Sequence, residues 1–237
     1  MALNFNPSGY IHWVDSGAGA SLNITQNLTL LVRIFGNVGN TGYGDFLSKD
    51  SSPATDPYRQ YTFSLDTNKK LEFKADLSGT WTDVIVADAA LPDGTKTIGA
   101  TYETGVGAKL YQDGALIKSS GTYTAAIGSH PTWKLAIANN NYGSDPERID
   151  YSIRAIISEV RIYNRILSPN EMFAFHHGQG ADNIVNGLAL WYRFDENHAG
   201  AVASSIIDLS GNGNTGTPKN SVAYAEAPYR KRGGMSI

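Results

Sequence analysis

Glu159-Val-Arg-Ile-Tyr163-Asn-Arg-Ile-Leu167-Ser168-Pro169-Asn170-Glu171 is the stretch on which the fold turns. With Ile153 to Ser158 before it, its first half is a run of β-branched and aromatic residues of strand length. Ser168-Pro169-Asn170-Glu171 then carries three marks of a helix start: a capping serine, proline at the first helical position, and glutamate three residues past the cap. Gly178, after His176 and His177 in what would be the last turn, is placed to end the helix. The pattern predicts a strand over Ile153–Tyr163 and one short helix over 169–177.

Outward from there the chain repeats the strand and not the helix. Short apolar or alternating runs recur at Leu28–Phe35, Tyr61–Leu65, Leu71–Lys74, Val84–Val86, Thr97–Thr101, Lys109–Tyr111 and Trp133–Ala138, each bounded by Gly, Asn, Asp or Pro. Asp113-Gly114, between Lys109–Tyr111 and Ala115–Lys118, has the chemistry of a two-residue hairpin turn, which needs positive φ at both positions. Asp66-Thr-Asn-Lys69 reads as a slightly longer hairpin. The composition agrees: 17% charged residues is too few for long surface helices, and 25 glycines in 237 residues suit many tight turns. The chain shows neither an internal repeat nor a true linker. Residues 1–225 are therefore expected to form one all-β sandwich, with 226–237 as a basic C-terminal tail.

Other classes fall away. A net charge of −3 supplies no field for nucleic acid or an anionic membrane. No stretch reaches the roughly 18 apolar residues of a spanning helix. The absence of cysteine removes disulfides, thiol catalysis and thiolate zinc sites. The opening Met-Ala-Leu-Asn-Phe-Asn has neither the basic region nor the apolar core of a signal peptide.

Taken in order along the chain, several segments resemble the concanavalin-A-like, laminin-G-like jelly-roll superfamily. They are Ala2-Leu-Asn-Phe-Asn-Pro-Ser-Gly-Tyr-Ile11, Leu28–Phe35, Gly94–Tyr102, Lys109-Leu-Tyr-Gln-Asp-Gly-Ala-Leu116, and above all Glu159–Ser168 with its capped helix. The resemblance implies a jelly-roll β-sandwich that binds rather than cleaves. Gly187-Leu-Ala-Leu-Trp-Tyr-Arg-Phe-Asp-Glu196, continuing to Asp208-Leu-Ser-Gly-Asn-Gly-Asn-Thr-Gly216, resembles a segment that normally opens such domains. Residues 187–217 are thus expected to be a permuted segment completing the same sandwich, or one exchanged with a neighbouring subunit.

Candidate sites follow. Asn139, Asn140, Asn141 and Tyr142 form a polar loop with one aromatic, and Tyr43 and Tyr58 lie in other loops; aromatic faces and amides are what sugar recognition uses. Asp208, Ser210 and Asn212 space oxygens at alternate positions, as calcium loops do. Lys219 stands where an EF-hand would place its glutamate, and Asn6 and Ser158 replace two aspartates common in the family. Calcium is therefore a doubtful cofactor, the competing reading being an Asn-Gly turn held by Asx hydrogen bonds. Most of the four tryptophans read as strand residues packed in the core. Glu159 is followed by Arg161 and Tyr163 rather than further acids, and Glu147 and Asp150 have the wrong period for a hydrolase pair on one strand. Acids of different strands could still converge, which leaves a glycoside hydrolase as the third possibility. His176 and His177 are expected to point to different sides of the helix. Arg230, Lys231 and Arg232 make a short basic docking candidate.

The functional expectation is a non-catalytic module with no required cofactor. Its first version is a virion-surface protein of a phage-like particle, such as a capsid decoration or tail protein, assembled in several copies with other virion proteins. The alternative is an extracellular carbohydrate-binding domain whose partners are glycans.

Overall fold

The computed structural model describes residues 1–5, 13–40, 42–50, 57–140 and 151–226. The described residues form fifteen strands: β1 (Ala2–Asn4), β2 (Trp13–Asp15), β3 (Asn27–Asn40), β4 (Gly44–Asp50), β5 (Arg59–Leu65), β6 (Lys70–Leu77), β7 (Thr80–Ala90), β8 (Lys96–Glu103), β9 (Gly107–Gln112), β10 (Ala115–Ser119), β11 (Lys134–Ile137), β12 (Ile153–Tyr163), β13 (Leu188–Tyr192), β14 (Thr217–Lys219) and β15 (Ala223–Ala225). The α-helix among them is α1 (Pro169–His177). The first sheet runs β10-β9-β8-β3-β12-β1-β15, with β13 also paired to β12; the second runs β14-β2-β11-β4-β5-β6-β7. Every strand pairing within the two sheets is antiparallel. The protein is a jelly-roll β-sandwich.

Why the sheets stack is visible in their registers. Across the second sheet, Ile85, Phe73, Phe63, Leu47, Ile137, Val14 and Pro218 fall in one row. Across the first, Leu110, Ala100, Leu30, Ile162 and Leu190 do the same. All but Ile85 (4%) and the proline are fully buried, and all but the proline belong to one apolar cluster. Side chains alternate along a strand, so one apolar row per sheet aligns a face that must leave water, and the two faces cover each other.

The other face of the first sheet is also covered. One residue along, Tyr111, Gly99, Leu31, Arg161 and Trp191 form a second row. Met172 and Phe175 of α1 pack there with Leu31, Tyr111 and Trp191. The helix start is as its sequence predicts: Ser168 accepts from the Glu171 amide and Glu171 accepts from the Ser168 amide, completing the capping box, while Gly178 ends the helix at φ 76°. The 113–114 turn has φ 53° and 81°, positive at both positions.

Segment 187–226 supplies both sheets of its own chain. β13 lies along β12 in the line of β1, and β14 forms an edge of the second sheet beside β2.

Candidate functional site: the outer face of the second sheet

One position away from the apolar row of the second sheet lies another, formed by Asp83, Lys74, Thr62, Ser48, Ala136, Asp15 and Thr217. Six of its seven members are polar, and no described helix covers it. A parallel row of Asp45, Ser64 and Glu72 lies beside it. Among the described residues, this is where charged, hydroxylic and aromatic groups from different strands meet, and the middle of these rows is buried: Ser48 and Thr62 are inaccessible and Asp45, Ser64 and Glu72 nearly so.

The charges are interlocked. Asp45 on β4, 1% exposed, pairs with Arg59 on β5 at 3.1 Å. Lys74 lies 3.2 Å from both Glu72 and Asp83, and Ser64 donates to Glu72 at 2.9 Å. Ser48 donates to Asp50 at 3.0 Å and shares a hydrogen bond with Thr62. Burial pushes the Asp45 carboxyl up to about 6, against the pull of Arg59, Lys74 and Asn140. Burial also raises Glu72, although Lys74 and Ser64 oppose it.

Aromatic rings sit over this lattice. Tyr43 stacks on Tyr151 with centroids 6.0 Å apart and planes 16° from parallel, and Lys74 lies 4.8 Å from the Tyr43 ring. The Arg59 guanidinium rests 4.6 Å from the Tyr151 ring and 5.9 Å from Trp81. Tyr43 is 39% exposed and Trp81 half-buried, so each ring is partly open to solvent.

The structure distributes the predicted residues unevenly. Tyr43 belongs to the cluster. Asn139 and Asn140 are fully buried, the latter against Asp45, so they lie under the face and not at a loop tip. Tyr58 is half-buried just before β5. Asn141 and Tyr142, and Arg230, Lys231 and Arg232, lie outside the described residues.

Asp208, Ser210 and Asn212 form a self-contained turn. The Asp208 carboxylate accepts the amides of Trp191, Ser210 and Asn214 and the Asn214 side-chain amide, at 2.9–3.1 Å. Asn212 turns its amide nitrogen to the Leu188 and Ala189 carbonyls. Both Asp208 oxygens thus accept N–H donors, which is the Asx-turn arrangement.

Three of the four tryptophans lie on strands, as expected: Trp13 on β2 and Trp191 on β13 are buried, the latter in the apolar cluster under α1, and Trp81 on β7 is half-buried. One expectation needs correction. The rings of His176 and His177 do not diverge; they meet edge to face at 4.6 Å, His176 bonding Thr97 and His177 the Phe173 carbonyl. Acids of different strands do converge, but each is tied to a cation. Sequence reasoning missed Asp45, Arg59, Glu72, Lys74 and Trp81, because the signal is the register between strands and not any spacing within one.

The family profile described as the concanavalin A-like lectin/glucanases superfamily matches residues 8–172. The chain belongs to the concanavalin A-like lectin/glucanase superfamily. Its fold is shared with a provisionally assigned carbohydrate-binding protein of Bacteroides ovatus, at TM-score 0.66 and 18% identity over 96% of this chain and 60% of that one. It is shared too with the CBM40 of a Ruminococcus gnavus sialidase, solved with α2,3-sialyllactose, at TM-score 0.55 and 11% identity over 73% of this chain and 96% of that one. A SAP-like pentraxin of Limulus polyphemus aligns at TM-score 0.50 and 12% identity over 74% and 81%. This chain spans 60% of the length of the Bacteroides protein. No curated protein matches it significantly. No described helix of this superfamily member is long and apolar enough to cross a membrane. The virion-surface placement rests on the sequence argument alone.

Proposed function

We propose that this domain binds carbohydrate, without cleaving it, on the outer face of its second sheet. The observation that carries the reading is the cluster of Tyr43, Tyr151 and Trp81 over a floor of fixed polar and charged groups. Sugars present C–H faces that pack on aromatic rings and hydroxyls that bond to carboxylates and amides. Tyr43 and Trp81 supply the first, and Asp83, paired to Lys74 through one oxygen but with its side chain 65% exposed, supplies an accessible acceptor. The likeness to carbohydrate-binding folds supports the same class of ligand and, with it, an extracellular setting.

How the acids among the described residues are held supports binding without hydrolysis. A glycosidase needs one carboxyl free to give a proton and a second free to attack or to activate water. Asp45 and Glu72 are buried and locked to Arg59 and Lys74, and Glu159 lies on the other sheet under α1.

A glycan array probed with the intact chain, with calcium and with chelator, tests this. Selective binding is expected, falling at least tenfold in Tyr43→Ala and in Trp81→Ala with unchanged melting temperature. Silence of the whole array, or binding indifferent to both substitutions, would overturn the reading.

A further inference from the structure

The Asp45–Arg59 pair stands apart from the other ion pairs of the face. Lys74 has two carboxylates and Glu72 has a hydroxyl besides its lysine, whereas the Asp45 carboxylate, 1% exposed, has Arg59 as its only ion-pair partner among the described residues. Arg59 in turn lies beside two of the three rings, Tyr151 and Trp81. A charge fixed against an aromatic face holds both groups in place, and it does so most strongly where water is excluded.

Resting on the reading of this face as a glycan site, we propose that Asp45 and Arg59 are positioning residues that make the site pH-sensitive: ionised Asp45 holds Arg59 against Tyr151 and Trp81, and protonation releases Arg59 and loosens the rings. Neither residue touches sugar in this scheme. The groups facing Asp45 are Arg59 on β5, Glu72 and Lys74 on β6, and Asn140 after β11; those facing Arg59 also include Asp50 on β4 and Tyr151. Lys74 and Asn140 favour the ionised form of Asp45, Glu72 opposes it, and burial outweighs them, which brings its titration to about 6. At pH 5 the competent state is then about a tenth populated, and the apparent affinity is about tenfold weaker than at pH 7.5.

The test has two arms. The first titrates the array's strongest-binding oligosaccharide at pH 7.5 and pH 5. The wild type is expected to weaken about tenfold, Asp45→Asn to be flat and Asp45→Glu to restore the dependence. The second follows the Arg59 Nε–H resonance of the wild type by NMR from pH 7.5 to 5 without sugar, and expects a transition centred near 6. A pH-independent affinity, a drop that persists in Asp45→Asn, or an Arg59 resonance that does not move would overturn the inference. If the array is silent, the glycan reading fails, while the Arg59 titration still decides whether the pair opens.

Discussion

Glu159 is held by three donors: Arg161 Nε at 2.7 Å and Trp191 Nε1 at 3.1 Å on one oxygen, and Arg33 Nε at 3.4 Å on the other. Arg33 and Arg161 also donate to the Phe175, His176 and Ala181 carbonyls, so one carboxylate organises the ground on which α1 rests. Glu159→Ala would strand two buried guanidinium groups and is expected to cost about 3–5 kcal/mol, measured by urea unfolding. Gly114 is a second fixed point: its φ is 81°, and an added Cβ would stand 3.2 Å from Phe173 Cα and from His176 Cβ. Gly114→Ala should therefore lose about 2 kcal/mol, from the left-handed backbone and the lost helix contact together. Asp45 makes an acid-side contribution. Its folded value is raised, so between about pH 4 and 6 the folded state holds a proton the unfolded state has released. Stability from this group is present below about pH 4 and falls as pH rises through 6, by up to about 3 kcal/mol. Wild type minus Asp45→Asn, compared by melting temperature at both pH values, reads it out.

The helix α1 is fixed by local chemistry at its start and by the sheet along its length. Arg165 binds both Glu171 oxygens, at 2.5 and 2.9 Å, while the capping box uses the same carboxylate. The Arg165 hydrogen bonds, with those of Ser168, hold the Glu171 carboxyl down at about 2. The sign is opposite to that of Asp45: this stability is present above about pH 4.5 and is lost as pH falls toward 2. Because Glu171 is partly exposed, its share is discounted to about 1–2 kcal/mol. Glu171→Gln should destabilise by that amount at pH 7 and by almost nothing at pH 2, and Ser168→Ala by about 1 kcal/mol. The capping box was legible in the sequence, since Ser168 and Glu171 lie three residues apart. The strand β4 was not. Gly44-Asp-Phe-Leu-Ser-Lys-Asp50 carries three charges in seven residues, and every one is buried. Only its neighbours make that tolerable: Arg59 faces Asp45, Ser48 bonds Asp50, and the His130 and Trp133 carbonyls receive the Lys49 ammonium.

At the scale of the whole molecule, the two outer faces have different fates. The first sheet's is closed by α1 and the Glu159 network; the second's is lined by a buried lattice of polar and charged side chains with Tyr43, Tyr151 and Trp81 beside it. The profile match ends at residue 172, yet β13 and β14 beyond it complete one sheet each. A chain cut after Asn186 would uncover Val160–Tyr163 on β12 and Trp13–Asp15 on β2, and unpaired strand edges invite association. Such a truncation is expected to aggregate or to lose its cooperative melting transition, while the chain of residues 1–226 melts in a single step.

The sequence by itself determined the class of the fold, the hairpin at 113–114 and the capped helix, because period-two alternation, turn residues and caps act within a few positions. It also placed Tyr43 among the candidate rings. Only the tertiary structure decided the site. Asp45, Arg59, Glu72, Lys74, Asp83 and Trp81 come from four strands and Tyr151 from the segment before β12, and their meeting depends on register between segments that are distant in the chain. A polar residue at strand spacing reads the same whether its neighbour across the sheet is a partner ion or water, and long-range pairing alone makes that choice.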